Sequence, residues 1–215
     1  MNRLSMARSF RRYFILILLL WILFVLYPNP MNLAISVARL IAPAIDPISV
    51  KPLLQELNST ELVMIEREVA EKIPYRYDWE VYGMPWYFPT TAKVLERGEG
   101  DCKARTLILA SIFEAKDIPY RINCSPIHMW VDYQGKEQTS LENTGVRFYQ
   151  QDPETGKRLF HFPDIPFSDI TDSFQDSFWE PMPLARRLLI LLGLPVLVIV
   201  RLTLFKKRKS ESRVK

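Results

Sequence analysis

Apolar positions along this chain fall into two long uncharged runs separated by a shorter-ranged, amphipathic middle. Tyr13 to Tyr27 carries no charge and is dominated by Leu, Ile, Phe, Val and Trp. Leu188 to Val200 is likewise uncharged, followed by Arg201 and the apolar stretch 202–205. The runs predict transmembrane helices over 13–30 and 188–205, the first slightly short for a bilayer core that takes about 20 residues. Arg11, Arg12 and Arg201 have stems long enough to snorkel. A cleaved signal peptide competes for the first run, although Pro28 and Pro30 stand where a small-residue cleavage site would be. An interfacial helix competes for the last.

The middle of the chain changes period several times. Residues 31–57 are Pro-rich without a clear repeat and read as a linker. Asn58 and Glu61 match a capping box before a helix carrying Leu62, Ile65, Val69 and Ile73. Residues 75–88 are crowded with aromatics and, with Gly83 and Pro85, fit neither a regular helix nor a strand. Thr90 or Thr91 caps a short helix that Gly98 and Gly100 break. From Cys102 to about Lys116, Ala104, Leu107, Ile108, Ile112 and Ala115 keep helical spacing, which predicts a central buried helix. Strands are predicted over 120–124, 128–133, 137–142, 146–151 and 157–162, with turns at Gln134-Gly135 and 152–156. One strongly apolar helix followed by short strands predicts an α+β fold, the helix packed on an antiparallel sheet. The folded domain then covers 58–165, and the acidic, aromatic stretch after it reads as a juxtamembrane linker over 166–187.

Charge refines this picture. The net charge is +4, but Arg3, Arg8, Arg11 and Arg12 sit before the first run, in a tail over 1–12. Lys206, Lys207, Arg208, Lys209, Arg213 and Lys215 follow the last run, in a tail over 206–215. Between Pro28 and Pro183, acids outnumber bases 23 to 15. The excess of positive charge at both ends predicts cytoplasmic termini and an extracytoplasmic central domain in the cell membrane. It also argues against nucleic acid as a partner, because the bases form anchors and not a groove.

The chemistry centres on one cysteine and one histidine. Gly98-Glu99-Gly100-Asp101-Cys102 opens the central helix, and a thiol there faces unpaired backbone N–H groups and the positive end of the helix dipole, which favour thiolate. The glycines allow close backbone approach to a substrate, and the Cys102 N–H is placed to stabilise an oxyanion. His128, in Ile127-His128-Met129-Trp130-Val131-Asp132-Tyr133, is the base that a strand would hold rigidly. Asp132 shares its face but lies roughly 13 Å along the strand at about 3.3 Å per residue, too far to orient the ring. Glu142, on the next predicted strand, is the candidate orienting acid, with Asn143 as the substitute. His161, flanked by Phe160 and Phe162, reads as a packed residue. A Cys102–Cys124 disulfide is the structural alternative for the cysteines. A zinc site from Cys102, Cys124, His128 and His161 lacks a close ligand pair, and no cofactor is expected.

Three segments resemble the transglutaminase-like superfamily with its papain-like core: the Gly98–Cys102 turn opening the helix, Ile118-Pro119-Tyr120-Arg121 leading into a strand, and His128-Met129-Trp130-Val131. The resemblance covers about residues 75–145. It implies a Cys–His–Asp type triad for acyl transfer, with Cys102 as nucleophile and His128 as base. The third position falls on Leu141-Glu142-Asn143, where the family usually carries Asp. An upstream oxyanion helper is also implied, with Trp79 the guess among several aromatics. The expected protein is a membrane-anchored cysteine peptidase, amidase or acyltransferase acting on a peptide or protein near the membrane lipid. The alternative is an inactive domain of the same fold that binds a peptide or envelope component.

Overall fold

The computed structural model describes residues 3–125, 127–137, 139, 142, 149–151, 158–160 and 167–214, and the chain divides into two compact units. The larger spans Leu33–Pro181. It is α+β. Helices α2 (Met31–Ile41), α3 (Lys51–Glu56), α4 (Leu62–Lys72), α5 (Asp78–Val81), α6 (Thr91–Arg97) and α7 (Cys102–Ala115) precede the strands. Strands β1 (Tyr120–Cys124), β2 (Met129–Tyr133), β3 (Tyr149–Gln151) and β4 (Arg158–Phe160) follow, then α8 (Phe167–Phe174) and a π-turn over Gln175–Trp179. The strand order is β2-β1-β3-β4, antiparallel throughout.

Helix α7 sits at the centre because it is apolar almost all round, as a helix enclosed on every side must be. Ala104, Leu107, Ile108, Ala110, Ile112 and Phe113 are fully buried. Its start is set by Asp101, whose carboxylate accepts from the N–H groups of Lys103 (3.0 Å) and Ala104 (3.4 Å). It ends before Asp117, which takes a left-handed φ of 53°. The β1–β2 hairpin packs against it: the Phe113 ring meets Tyr133 edge-on at 5.2 Å, and Thr106 Oγ1 donates to the Met129 carbonyl at 3.0 Å. Strand β1 is buried except at Arg121, consistent with its position between β2 and β3.

Several sequence-based expectations need correction. The stretch 31–57 is not a linker: it forms α2 and α3, with Ser36 and Val50 fully buried. Pro43 and Pro47 separate the two helices and Pro52 opens the second, so the stretch as a whole shows no single period although α2 itself is proline-free. Asn58 does not cap α4, whose N-cap is Glu61 without a side-chain bond; Ser59 Oγ accepts from the Glu61 N–H instead, at 3.1 Å. The stretch 166–187 is not a plain linker either, since α8 and the π-turn belong to the larger unit. The aromatic stretch holds the short helix α5, with Tyr77 N–H donating to Glu80 Oε2 at 3.1 Å. No strand is assigned at the described residues of 137–142; Glu142 N–H closes a turn on the Thr139 carbonyl at 3.1 Å. His128 lies just before β2 and not within it. The turn predicted at 152–156 lies outside the described residues.

The smaller unit joins residues 1–32 and 182–215, in which α1 (Arg3–Leu26) packs beside α9 (Leu184–Val214). Trp21 covers Gly193, where any Cβ would collide with the indole. Arg186 Nη1 donates to the carbonyls of Val25 and Leu26 at 3.0 and 2.9 Å, closing the end of α1. Pro28 and Pro30 stop α1 at Leu26, short of the predicted limit of 30, whereas α9 continues through the basic stretch 206–214. Among the described residues, no single helix is long and apolar enough to cross a membrane. Two pairs joined by a short break, 13–26 with 31–41 and 171–179 with 184–199, meet that criterion only jointly.

Candidate active site

Cys102 is the first residue of α7 and half-buried. The two glycines before it serve different ends from close approach to a substrate. Gly98 takes φ 69° as the left-handed cap that ends α6, its N–H bonded to the Val94 carbonyl at 2.8 Å. Gly100 lies against Ala104, whose Cβ occupies the space a side chain at 100 would need. Its N–H donates to Pro74 O and its carbonyl accepts from Arg76 N, both at 3.1 Å, which locks Tyr75 beside the turn. Gly100→Ala is therefore expected to cost about 1–3 kcal/mol and to displace the start of α7. Denaturant melts together with Cys102 alkylation rates check this: a neutral substitution would show that the turn has room.

The hairpin turn between β1 and β2 fixes His128. Ser125 Oγ accepts from His128 N (2.9 Å) and Ile127 N (3.3 Å), and the Ser125 N–H donates to the His128 carbonyl at 2.7 Å. The ring stacks on Trp130 at 5.8 Å, two residues along on the same face. Rigidity thus comes from a serine-clasped turn, a signal that was present in the sequence as Ser125-Pro126.

Glu142 reaches the ring from the loop after β2. Its Oε1 lies 3.7 Å from His128 Nε2, an ion-pair distance longer than an ordinary hydrogen bond. The same oxygen accepts from Lys136 Nζ at 3.0 Å, and Lys136 also donates to Glu66 Oε1 at 2.7 Å and Val131 O at 3.0 Å. Burial works to raise the Glu142 carboxyl, but His128 and Lys136 outweigh it and hold it at about 2. Burial works to lower His128, but the neighbouring Cys102 and Glu142 side chains outweigh that and raise it to about 9. With Nε2 turned to Glu142, Nδ1 is the ring nitrogen left for the sulfur. Asn143 and His161 lie outside the described residues.

Cys102 and His128 line one cavity of about 300 Å³. Its walls are mostly apolar and aromatic, with Leu40, Tyr75, Trp86, Phe88, Ile127 and Met129 among them. A smaller cavity of about 180 Å³ also reaches Cys102 and His128, together with Tyr75, Met129, Arg105 and Glu142. Ser173 on α8 and Ser177 on the π-turn contribute to the larger cavity, a role invisible in a stretch that reads as a tether. Trp79 is the residue that secures them. Its indole N–H donates to the Phe178 carbonyl at 2.7 Å and its ring meets Phe178 at 6.1 Å. With that N–H engaged, and the residue buried away from both cavities, Trp79 is not the oxyanion donor suggested by the resemblance. The Cys102 N–H, in the first helical turn, has no acceptor within the helix.

Next to Cys102 lies a charged trio that the sequence pattern does not reveal. Lys103 Nζ bonds Asp101 Oδ2 and contacts Asp78 Oδ2 at 2.9 Å. Asp78 Oδ2 also accepts the Tyr87 N–H at 2.7 Å. Burial pushes Asp78 up to about 7 against the pull of Lys103. Burial works to lower Lys103, but Asp101 and Asp78 hold it well above its ordinary value.

Cys102 and Cys124 are both free, so the disulfide alternative does not hold. Among the described residues no cluster of three or more His, Cys, Asp or Glu side chains is arranged for a metal ion. A thiol, an imidazole on the same cavity wall and a carboxylate behind the imidazole can carry proton transfer and nucleophilic attack on a carbonyl. Set against known proteins, the chain matches no family model, no curated protein and no solved structure.

Proposed function

We propose that this protein is a membrane-anchored cysteine hydrolase or acyltransferase with a transglutaminase-like core, acting on peptide or amide bonds. The observation that carries the reading is the convergence of Cys102, His128 and Glu142, from a helix start, a hairpin turn and a loop, on one cavity wall. With the thiol proton lodged on His128, the sulfur attacks the substrate carbonyl carbon, and the Cys102 N–H faces the developing oxyanion. Collapse of the tetrahedral intermediate breaks the C–N bond. The His128 imidazolium gives its proton to the departing amine, leaving a thioester on Cys102. Water or a second amine, deprotonated by His128, then attacks the thioester and releases the sulfur. Glu142 holds the ring and offsets its charge without taking the proton. The two uncharged terminal runs and their basic flanks support anchoring with both termini cytoplasmic, which places a peptide or protein substrate close to lipid.

The second reading, a non-catalytic domain that binds a peptide, draws on one observation: Glu142 Oε1 lies nearer to Lys136 Nζ than to His128 Nε2. Alkylation with iodoacetamide near neutral pH separates the two. A catalytic Cys102 reacts while buried Cys124, whose thiol burial pushes up to about 11, does not. Mass spectrometry of the intact chain and of Cys102→Ala gives the site. Labelling of Cys102 no faster than an unfolded-chain thiol sinks the enzyme reading.

A further inference from the structure

Helix α7 starts on a cap that is itself held from outside the helix. An N-cap aspartate ordinarily leaves its second carboxylate oxygen in water. Here Asp101 Oδ1 caps the helix while Oδ2 is bonded by Lys103, whose side chain is 10% exposed and folds back over the first turn. The ammonium then continues to Asp78 on α5, 4% exposed. Asp78 in turn accepts the N–H of Tyr87, next to Phe88, whose N–H is bonded to Ser36 Oγ at 3.0 Å. One cation therefore ties the turn carrying Cys102 to the aromatic wall of the same cavity.

Burying three charges is a poor way to gain stability, since apolar side chains of similar volume usually do as well. What the trio supplies is a fixed direction. Hydrogen bonds of an ammonium to two carboxylates set the position of Asp101, and Asp101 sets the residue that follows it.

We propose that Lys103, clamped between Asp78 and Asp101, is the positioning residue of this site: it holds the Cys102 turn against the Tyr87–Phe88 wall so that the sulfur meets His128. This rests on Cys102 being the nucleophile. The titratable groups facing the clamp are Tyr82, Tyr75, Cys124 and the Cys102 sulfur, and none of them supplies a second cation.

The test is the pH profile of Cys102 alkylation by iodoacetamide in the full-length chain, with thermal melting run alongside. Lys103→Met, which keeps the stem and removes the charge, is expected to melt cooperatively yet react about tenfold to a hundredfold more slowly, a loss typical of misplacing a reacting group. The midpoint of its profile moves as well. Lys103→Arg, which spans both carboxylates, recovers part of the rate, whereas a merely space-filling role would make Met the better substitute. Asp78→Asn gives a smaller loss in the same direction and decides the matter if Lys103→Met does not melt cooperatively. A folded variant of either kind with a profile superimposable on wild type overturns the clamp. His128→Gln, measured in the same series, reports on the catalytic reading separately: an unchanged rate there refutes that reading while the Lys103 and Asp78 rates still test the clamp.

Discussion

His128→Gln is expected to slow turnover by a factor of about 10² to 10⁴, the range that a positioned acid–base group supplies, with little change in fold. The ring shares the cavity wall with the Cys102 side chain and can carry a proton at neutral pH. Its backbone is held by Ser125 and not by its own side chain, so the turn survives the substitution. The signature lies in the pH dependence. In the wild type His128 is raised from 6.5 to about 9, so the imidazolium persists through neutrality, and turnover falls as pH rises through about 9, where the leaving amine loses its proton donor. The variant has no such limb. The same shift fixes the sign for stability. A group raised on folding contributes in full below its unfolded value of 6.5, and the contribution disappears as pH climbs through about 9. The stability gap between wild type and His128→Gln should narrow over that interval. Chemical melts at a series of pH values read it, and a gap that widens instead would contradict the paired ring.

Glu142→Gln is expected to cut turnover by about tenfold to a hundredfold, less than loss of the ring because the carboxylate acts through it. The amide cannot offset the imidazolium charge, so the alkaline limb of the pH–rate profile moves below about 9. A structural cost comes with it. Lys136, its side chain 4% exposed, keeps Glu66 and the Val131 carbonyl but loses one anionic partner, worth about 1–3 kcal/mol for a buried group left short of a hydrogen bond. Glu142 is lowered on folding from 4.5 to about 2. Its contribution is therefore present above 4.5 and is lost as pH falls through about 2, the opposite sense to His128. Glu142→Asp keeps the charge and should retain more activity than Glu142→Gln. Lys136→Met loosens the same loop without removing the carboxylate, which separates the roles. If it lowers stability while the alkaline limb stays near 9, Glu142 orients the ring. If Lys136→Met shifts that limb as far as Glu142→Gln does, the carboxylate is a loop anchor. Unchanged turnover in Glu142→Gln with a collapse in Asn143→Ala would transfer the orienting role to Asn143.

Short-range pattern sufficed for the elements built from local periodicity. Helix α7 was legible because its apolar residues recur at helical spacing, and β1 because an alternating run follows Pro119. A thiol at a helix start and an imidazole near a strand start could be read for the same reason. Each is a local property of ten residues or fewer. The α+β class followed from the order of those elements.

Other features depend on partners distant in sequence, and only the tertiary structure decided them. Helices α2 and α3 are short and separated by Pro43 and Pro47, so each reads weakly alone, yet Ser36 and Val50 are fully buried and Ser36 Oγ accepts from the N–H of distant Phe88. Glu142 reaches His128 by a loop and not by a strand, since a buried Lys136 between Glu66 and Glu142 supplies the anchor that pairing would have supplied. Trp79 looked available as a donor until its N–H was seen bonded to Phe178, a hundred residues away less one. Lys103, one position after Cys102, reads as an ordinary helical surface residue. It becomes a clamp only because Asp78 lies beside Asp101, a juxtaposition of carboxylates that no spacing along the chain encodes.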